Sequence, residues 1–228
     1  MKILLTGGSG LLGKKLIEID NQIISPNRHN LDITNKDSVV ENIKLHKPDV
    51  VVHCAALTSY SISEQNPKLA REVNVLGTMN ILDSCEEMGI KLVYISTDYV
   101  FDGKKGNYSE SDGINPLNNY AKTKASAELL VRTYKNSLCI RTSFYDNSLY
   151  YEFATTDCFT TKGHVDLISK KIYAKIKSIE TGIVHIYDKK RSIYDVVSSV
   201  NSDVKPISKK DLKIEIPTDV SLKSVRKN

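Results

Sequence analysis

The sequence predicts an α/β protein in which a doubly wound parallel sheet is followed by a small C-terminal lobe. Three observations carry that prediction. Short β-branched runs alternate with segments whose apolar residues recur at helical spacing, the order of a parallel sheet with right-handed crossovers. The run Asp49 to Cys54, centred on Val50, Val51 and Val52, reads as a strand buried on both faces. The first apolar run breaks directly into Gly7-Gly8-Ser9-Gly10-Leu11-Leu12-Gly13, a turn that opens a helix.

In chain order, Lys2 to Thr6 is a short strand, and Leu11, Leu12, Leu16 and Ile17 form the apolar stripe of the helix after it. Gln22 to Ser25 reads as a second strand, Asp37 to Leu45 as a short helix and Asp49 to Cys54 as a third strand. From Pro67 to Met88, the residues Leu69, Val73, Leu76, Asn80, Ile81 and Met88 fall on one side of a long helix that closes at Gly89. Strand Lys91 to Ser96 follows, then a polar loop through Asn115, helix Leu117 to Tyr134 and strand Leu138 to Thr142. Beyond about Tyr145 the rhythm weakens. His164 to Lys177 is helical, Gly182 to Tyr187 strand-like, Ser192 to Val200 a short helix, and the remainder a polar tail. The expected division is a nucleotide-binding core over 1–145 and a small lobe with a basic tail over 146–228.

Composition excludes several classes. The 228 residues are 40% hydrophobic and 26% charged, which matches a soluble globular protein rather than a disordered, collagen-like or disulfide-stapled chain. No run approaches the ~20 apolar residues of a membrane span. Met1 to Gly7 turns to glycine too early for the apolar stretch of a signal peptide, so no membrane association is expected. Lys and Arg total 32 against 27 for Asp and Glu, and the excess clusters only after about Lys205. With no helix-turn-helix, zinc-finger or aromatic single-strand pattern beside it, that end reads as a solvated tail, and no nucleic-acid partner is expected. Cys54, Cys85, Cys139 and Cys158 form no Cys-x-x-Cys pair; the first three lie in apolar runs, as free thiols of a reducing cytoplasm do. No metal site is expected.

The glycine turn points to a dinucleotide. Glycines at 7, 10 and 13 between a strand and a helix permit a tight turn, close approach of backbone to a pyrophosphate and close packing of helix on sheet. Amides at the helix start then hold the phosphates. At the end of the second strand, Ile24-Ser25-Pro26-Asn27-Arg28-His29 offers no carboxylate for the ribose 2′-hydroxyl of NAD. Arg28, with Lys14 or Lys15, suits a 2′-phosphate instead, so NADP is favoured over NAD. The other reading leaves these cations merely solvated. Asp32, in Leu31-Asp32-Ile33, serves either the adenine amino group or the cap of the next helix.

Tyr120-Ala121-Lys122-Thr123-Lys124 sets Tyr120 and Lys124 at i and i+4 on one helical face. A nearby ammonium lowers a phenol's pKa, which fits Tyr120 to exchange a proton with a sugar or alcohol oxygen near neutral pH. Taken alone, the pair reads more readily as an exposed aromatic and a solvated lysine. Its context includes the glycine turn, Leu31-Asp32-Ile33, His53-Cys54-Ala55-Ala56-Leu57-Thr58, Asn74 in the long helix, Ser96-Thr97-Asp98-Tyr99-Val100-Phe101 and Arg141-Thr142-Ser143. With these, the chain from Met1 to about Thr142 resembles the extended short-chain dehydrogenase/reductase superfamily, most of all its dTDP-4-dehydrorhamnose reductase branch of NDP-sugar enzymes.

The resemblance implies a Rossmann-type fold and NADPH-dependent reduction of the 4-keto group of an NDP-deoxysugar. It implies that Thr97 bonds the substrate carbonyl, that Tyr120 donates the proton, and that Lys124 binds the nicotinamide ribose and tunes Tyr120. Asn74 would hold helix geometry and a relay water. Gly7, Gly10, Leu11, Leu12, Gly13, Arg28, Asp32, Ile33, Ala55, Ala56 and Thr58 would line the cofactor, and Asp98 and Tyr99 the sugar pocket. NDP-sugar 4,6-dehydratases carry Thr-Asp-Glu where this chain has Thr97-Asp98-Tyr99, so a reductase is preferred to a dehydratase. An epimerase of the same fold and a non-catalytic NADP-binding regulatory subunit remain alternatives. Two departures stand out: the first helix is shortened between Gly13 and Ser25, and Ser143 reaches Thr160-Thr161 after a short stretch. The sugar-side wall is therefore expected to be reduced, closed either by the remaining lobe, with Thr160, Thr161, Lys162 and the basic tail, or by a second subunit in a homodimer.

Overall fold

The computed structural model describes residues 1–212 and 216–226. Its first half runs β1 (Ile3–Thr6), α1 (Leu11–Ile19), α2 (Lys36–His46), β2 (Val50–His53), α3 (Tyr60–Gln65), α4 (Pro67–Arg71), a π-helical turn (Glu72–Leu76), α5 (Gly77–Glu87), β3 (Lys91–Thr97), α6 (Asn119–Val131) and β4 (Ser137–Thr142). Then come β5 (Phe144–Tyr145), β6 (Phe153–Thr155), β7 (Phe159–Thr160), β8 (Gly163–His164), α7 (Val165–Ile176), β9 (Gly182–Ile186), β10 (Arg191–Ser192), α8 (Ile193–Ser198) and β11 (Lys205–Ile207).

The central sheet is parallel, in the order β1-β2-β3-β4-β9. Successive side chains of a strand point to opposite faces, so both faces must be covered for runs such as Ile3-Leu4-Leu5 to be buried throughout. On one face Leu12 and Leu16 of α1 and Ile168, Ile172 and Ile176 of α7 pack on Ile3, Leu5, Val52 and Ile140. On the other, Val39 and Ile43 of α2, Ile81 of α5 and Val131 of α6 pack on Leu4, Val51, Leu92 and Cys139. The expected double winding is present.

Several expectations need correction. Gln22 to Ser25 forms only a single bridge, Leu4 with Ile24, on the outer edge of β1. Ile24 N donates to Ile3 O and Leu5 N to Ile24 O, but Pro26 has no N–H with which to continue. The Ser25 hydroxyl donates to Leu5 O in its place, at 3.3 Å. The long helix begins where Asn66 caps Pro67 at its first turn, and it is interrupted by the π-helical turn. α6 starts later than Leu117 because Asn118 accepts from Ala121 N and caps it. α3 was not expected; Ser59 caps it.

The chain also returns to the sheet after residue 145: β9 pairs with β4, and α7 packs beside α1. The lobe proper consists of three two-stranded pairs, β5 with β8, β6 with β11 and β7 with β10. The described residues after Lys205 do not form a free tail. Val220 and Leu222 are buried, and bridges join Leu222 to Tyr108 and Asp219 to Phe159. Lys213 and Lys227 of the expected basic tail lie outside the described residues. Among the described residues no helix is long and apolar enough to cross a membrane, and the cysteines are free.

Candidate functional site

A cavity of about 870 Å³ opens at the carboxyl ends of β1 to β4, where open α/β sheets hold ligands. Its floor is the glycine turn. Gly7 lies in the left-handed region at φ +76°, and a Cβ there would stand 2.6 Å from Ala55 N. A Cβ on Gly13 would meet Gly7 O at 2.4 Å, so α1 packs directly on the turn. Gly10 precedes α1 without a side-chain cap, leaving amides of its first turn for an anion. These residues fit the pyrophosphate of a dinucleotide.

At the adenosine end the lining includes Ser25, Arg28, Asp32 and Ile33. Of the cations expected there only Arg28 lines the cavity. Lys15 is turned outward to Glu18 and Asp166, at 2.8 and 3.1 Å. Asp32 does not cap α2, which Asn35 does; its Oδ1 accepts from Thr34 N and Oγ1. Those bonds hold its carboxyl below the usual range, the charge of Arg28 adding a smaller effect.

The opposite wall comes from the end of β3 and the start of α6. Thr97, Tyr99, Tyr120 and Lys124 all line it, with Ala55, Ala56 and Thr58 along the middle. Lys124 is 4% exposed. Its Nζ donates to Ile95 O at 2.8 Å and stands 4.1 Å over the Tyr94 ring. Burial pushes its ammonium down to about 7. Burial likewise pushes the Tyr120 phenol up to about 12, partly offset by the neighbouring Thr97 hydroxyl, while the charge of Asp98 adds to the rise. The expectation that Lys124 lowers the Tyr120 pKa is therefore not met: the buried ammonium satisfies itself on the nearest fixed carbonyl, and the phenol keeps its proton at neutral pH.

Two expected site residues sit behind the wall rather than on it. Asp98 is 1% exposed and accepts from Ser143 Oγ at 2.6 Å, Thr97 Oγ1 at 3.2 Å and Thr160 Oγ1 at 3.4 Å. It orders three hydroxyls at the lobe end of the cavity and does not border the cavity itself. Asn74, within the π-helical turn, accepts from Leu57 N at 2.7 Å and donates to Leu57 O and Thr123 Oγ1. It ties the Ala55 to Thr58 loop to α6. Lys162 of the lobe also lines the cavity. Sequence reasoning missed Phe144 as a lining residue, and His53 as a buried polar group joining Thr6 to Thr78. A histidine closing an otherwise all-valine strand was the available signal for the last.

Comparison with known proteins follows from this geometry. A family model described as the RmlD substrate binding domain matches residues 1–157. A dTDP-4-dehydrorhamnose reductase of Aggregatibacter actinomycetemcomitans is 39% identical over 150 residues, covering 63% of this chain and 51% of that protein. The spore coat polysaccharide biosynthesis protein SpsK of Bacillus subtilis is 30% identical over 208 residues, covering 87% and 74%. The crystal structure of dTDP-4-dehydrorhamnose reductase from Bacillus anthracis in complex with NADP superposes with a TM-score of 0.88 at 26% identity, covering 98% of this chain and 91% of that one. The chain spans about half the length of the first curated relatives it matches. It belongs to the RmlD substrate-binding domain family, within the extended short-chain dehydrogenase/reductase superfamily.

Proposed function

We propose that this member of the RmlD substrate-binding domain family is an NADPH-dependent reductase of the 4-keto group of an NDP-deoxysugar. The observation that carries the reading is the convergence of Thr97, Tyr120 and Lys124 on one wall of a cavity whose floor is the glycine turn. Similarity to reductases named for dTDP-4-dehydrorhamnose supports it. So does Arg28, the one cation at the adenosine end of the cavity lining among the described residues, which suits a 2′-phosphate.

In this reading Gly7, Gly10 and Gly13 receive the cofactor's pyrophosphate, with Leu11, Leu12, Asp32, Ile33, Ala55, Ala56 and Thr58 beside it. Bound NADPH supplies hydride to the carbonyl carbon. On binding, the Thr97 hydroxyl turns its one proton from Asp98 to the carbonyl oxygen and fixes that oxygen's orientation. Tyr120 passes its proton to that oxygen as negative charge develops there, which suits a phenol held protonated by burial. Lys124, with an ammonium already desolvated, binds the ribose next to Tyr120. Asp98 holds the Ser143 and Thr160 hydroxyls in place from behind.

The test is NADPH oxidation measured against a panel of NDP-4-keto-deoxysugars, with Tyr120→Phe as the control. Wild-type turnover with a loss of about 10²- to 10⁴-fold in Tyr120→Phe, at unchanged NADPH affinity, is the expected result. A Tyr120→Phe variant that kept most of its turnover would remove the phenol from the chemistry. NADPH binding with no turnover on any member of the panel would favour a regulatory subunit instead.

A further inference from the structure

Among the described residues the cavity wall carries three cations, Arg28, Lys124 and Lys162. Arg28 stands at the adenosine end, and the Lys124 ammonium is committed to Ile95 O. Lys162 lies at the opposite end, on the lobe side, where Tyr99, Ser143 and Phe144 also line the cavity. Its backbone is pinned from two directions. The Lys162 amide donates to Thr160 Oγ1 at 3.0 Å, and its carbonyl accepts from Arg191 Nη2 at 3.1 Å. Arg191 is held in turn by Asp188 and by the Tyr145 hydroxyl.

The ammonium at the end of this fixed stem pairs with no carboxylate among the described residues. Asp98 is the carboxylate that feels its charge, but the Asp98 oxygens are already taken by Ser143, Thr97 and Thr160. Lys162 is half-buried, and without a counter-ion nothing in the protein replaces the hydration that this burial removes. An anionic ligand group would.

We propose that Lys162 binds the diphosphate of the nucleotide-linked substrate, an assignment that rests on the reductase reading in taking the substrate to be an NDP-sugar. Across a hexose ring the 4-keto carbon and the carbon bearing the diphosphate stand at opposite ends. A sugar whose carbonyl meets Thr97 and Tyr120 therefore extends its anionic end along the wall, and the lobe carries the one uncommitted cation there. Lysine suits this role as a point charge that gives a charge-assisted hydrogen bond to a phosphate oxygen.

Calorimetric titration of dTDP into protein saturated with NADP tests the assignment, with Lys162→Met and Lys162→Arg beside the wild type. NADPH affinity, followed by cofactor fluorescence, and binding of uncharged thymidine serve as controls. Lys162→Met is expected to weaken dTDP about tenfold or more, Lys162→Arg to recover most of that, and both controls to hold within twofold. Equal dTDP affinity in Lys162→Met and wild type would overturn the assignment. So would a matching loss of NADPH affinity, which would place Lys162 on the cofactor's own phosphates. Wild-type protein that reduces a ketosugar while Lys162→Met leaves its KM unmoved overturns the Lys162 role and keeps the reductase reading. Lys162-dependent dTDP binding without turnover of any ketosugar supports the anion site and sinks the reductase reading instead.

Discussion

His53 shows how one residue couples the sheet to the site. It ends β2 at 1% exposure, with Nδ1 2.7 Å from Thr6 Oγ1 and Nε2 3.0 Å from Thr78 Oγ1. Thr78 Oγ1 donates onward to Asn74 O in the π-helical turn, so the imidazole links the end of β1 to the helix behind the cavity. Burial pushes His53 down to about 3, the charge of Lys124 adding to the effect. The unfolded chain takes up this proton near 6.5 and the folded one only near 3, so stability is full above about 6.5 and falls as the pH drops toward 3. Urea unfolding measured at steps from pH 7.5 to 4 should show this. His53→Gln should have a shallower acid slope than the wild type, by up to about 1.4 kcal/mol per pH unit. Identical slopes would assign the acid sensitivity to carboxylates elsewhere.

At the scale of elements, the glycine turn and the Tyr120–Lys124 pair were legible because each is written in adjacent residues. A strand-to-helix turn or an i, i+4 face needs no distant partner to be recognised. What sequence reasoning missed depends on contacts far along the chain. The π-helical turn places Asn74 against Leu57 and Thr123, and Asp98 is drawn behind the wall by Ser143 and Thr160. The broken strand at Gln22 to Ser25 is the exception, since Pro26 was visible and its missing N–H ends the ladder. The turn itself can be tested by Gly13→Ala. The added Cβ would stand 2.4 Å from Gly7 O, and backbone cannot step aside as a flexible side chain can. Overpacking of this kind costs about 1–3 kcal/mol, so a lower melting temperature is expected. Because the shift displaces the turn proposed to receive the pyrophosphate, NADPH affinity should fall about tenfold or more as well. Unchanged NADPH binding would show that α1 can move away without disturbing the phosphate cradle.

At the scale of the whole molecule, the C-terminal segment supports the lobe end of the cavity. Leu222 packs with Val100, Phe101 and Tyr108 from the stretch after β3 and with Ala125 of α6, the residue after Lys124. Its amide donates to Thr161 Oγ1 at 3.0 Å, and the next amide, Lys223 N, donates to Tyr108 O at 2.8 Å. One short segment thus joins the loop carrying Tyr99, the helix carrying Tyr120 and the lobe strand leading to Lys162. Leu222→Ala removes a buried side chain at a cost of about 2–5 kcal/mol, and the void it leaves lies among Val100, Phe101, Tyr108 and Ala125, behind the wall proposed to face the sugar. The two ends of the cavity should respond differently: KM for the ketosugar rises several-fold while the NADPH dissociation constant stays within twofold. Steady-state kinetics and cofactor titration, run well below the variant's melting temperature, measure both. A lowered melting temperature with an unmoved KM would mean that the segment adds stability without positioning the wall. A parallel loss of NADPH affinity would mean that the two ends of the cavity are mechanically one.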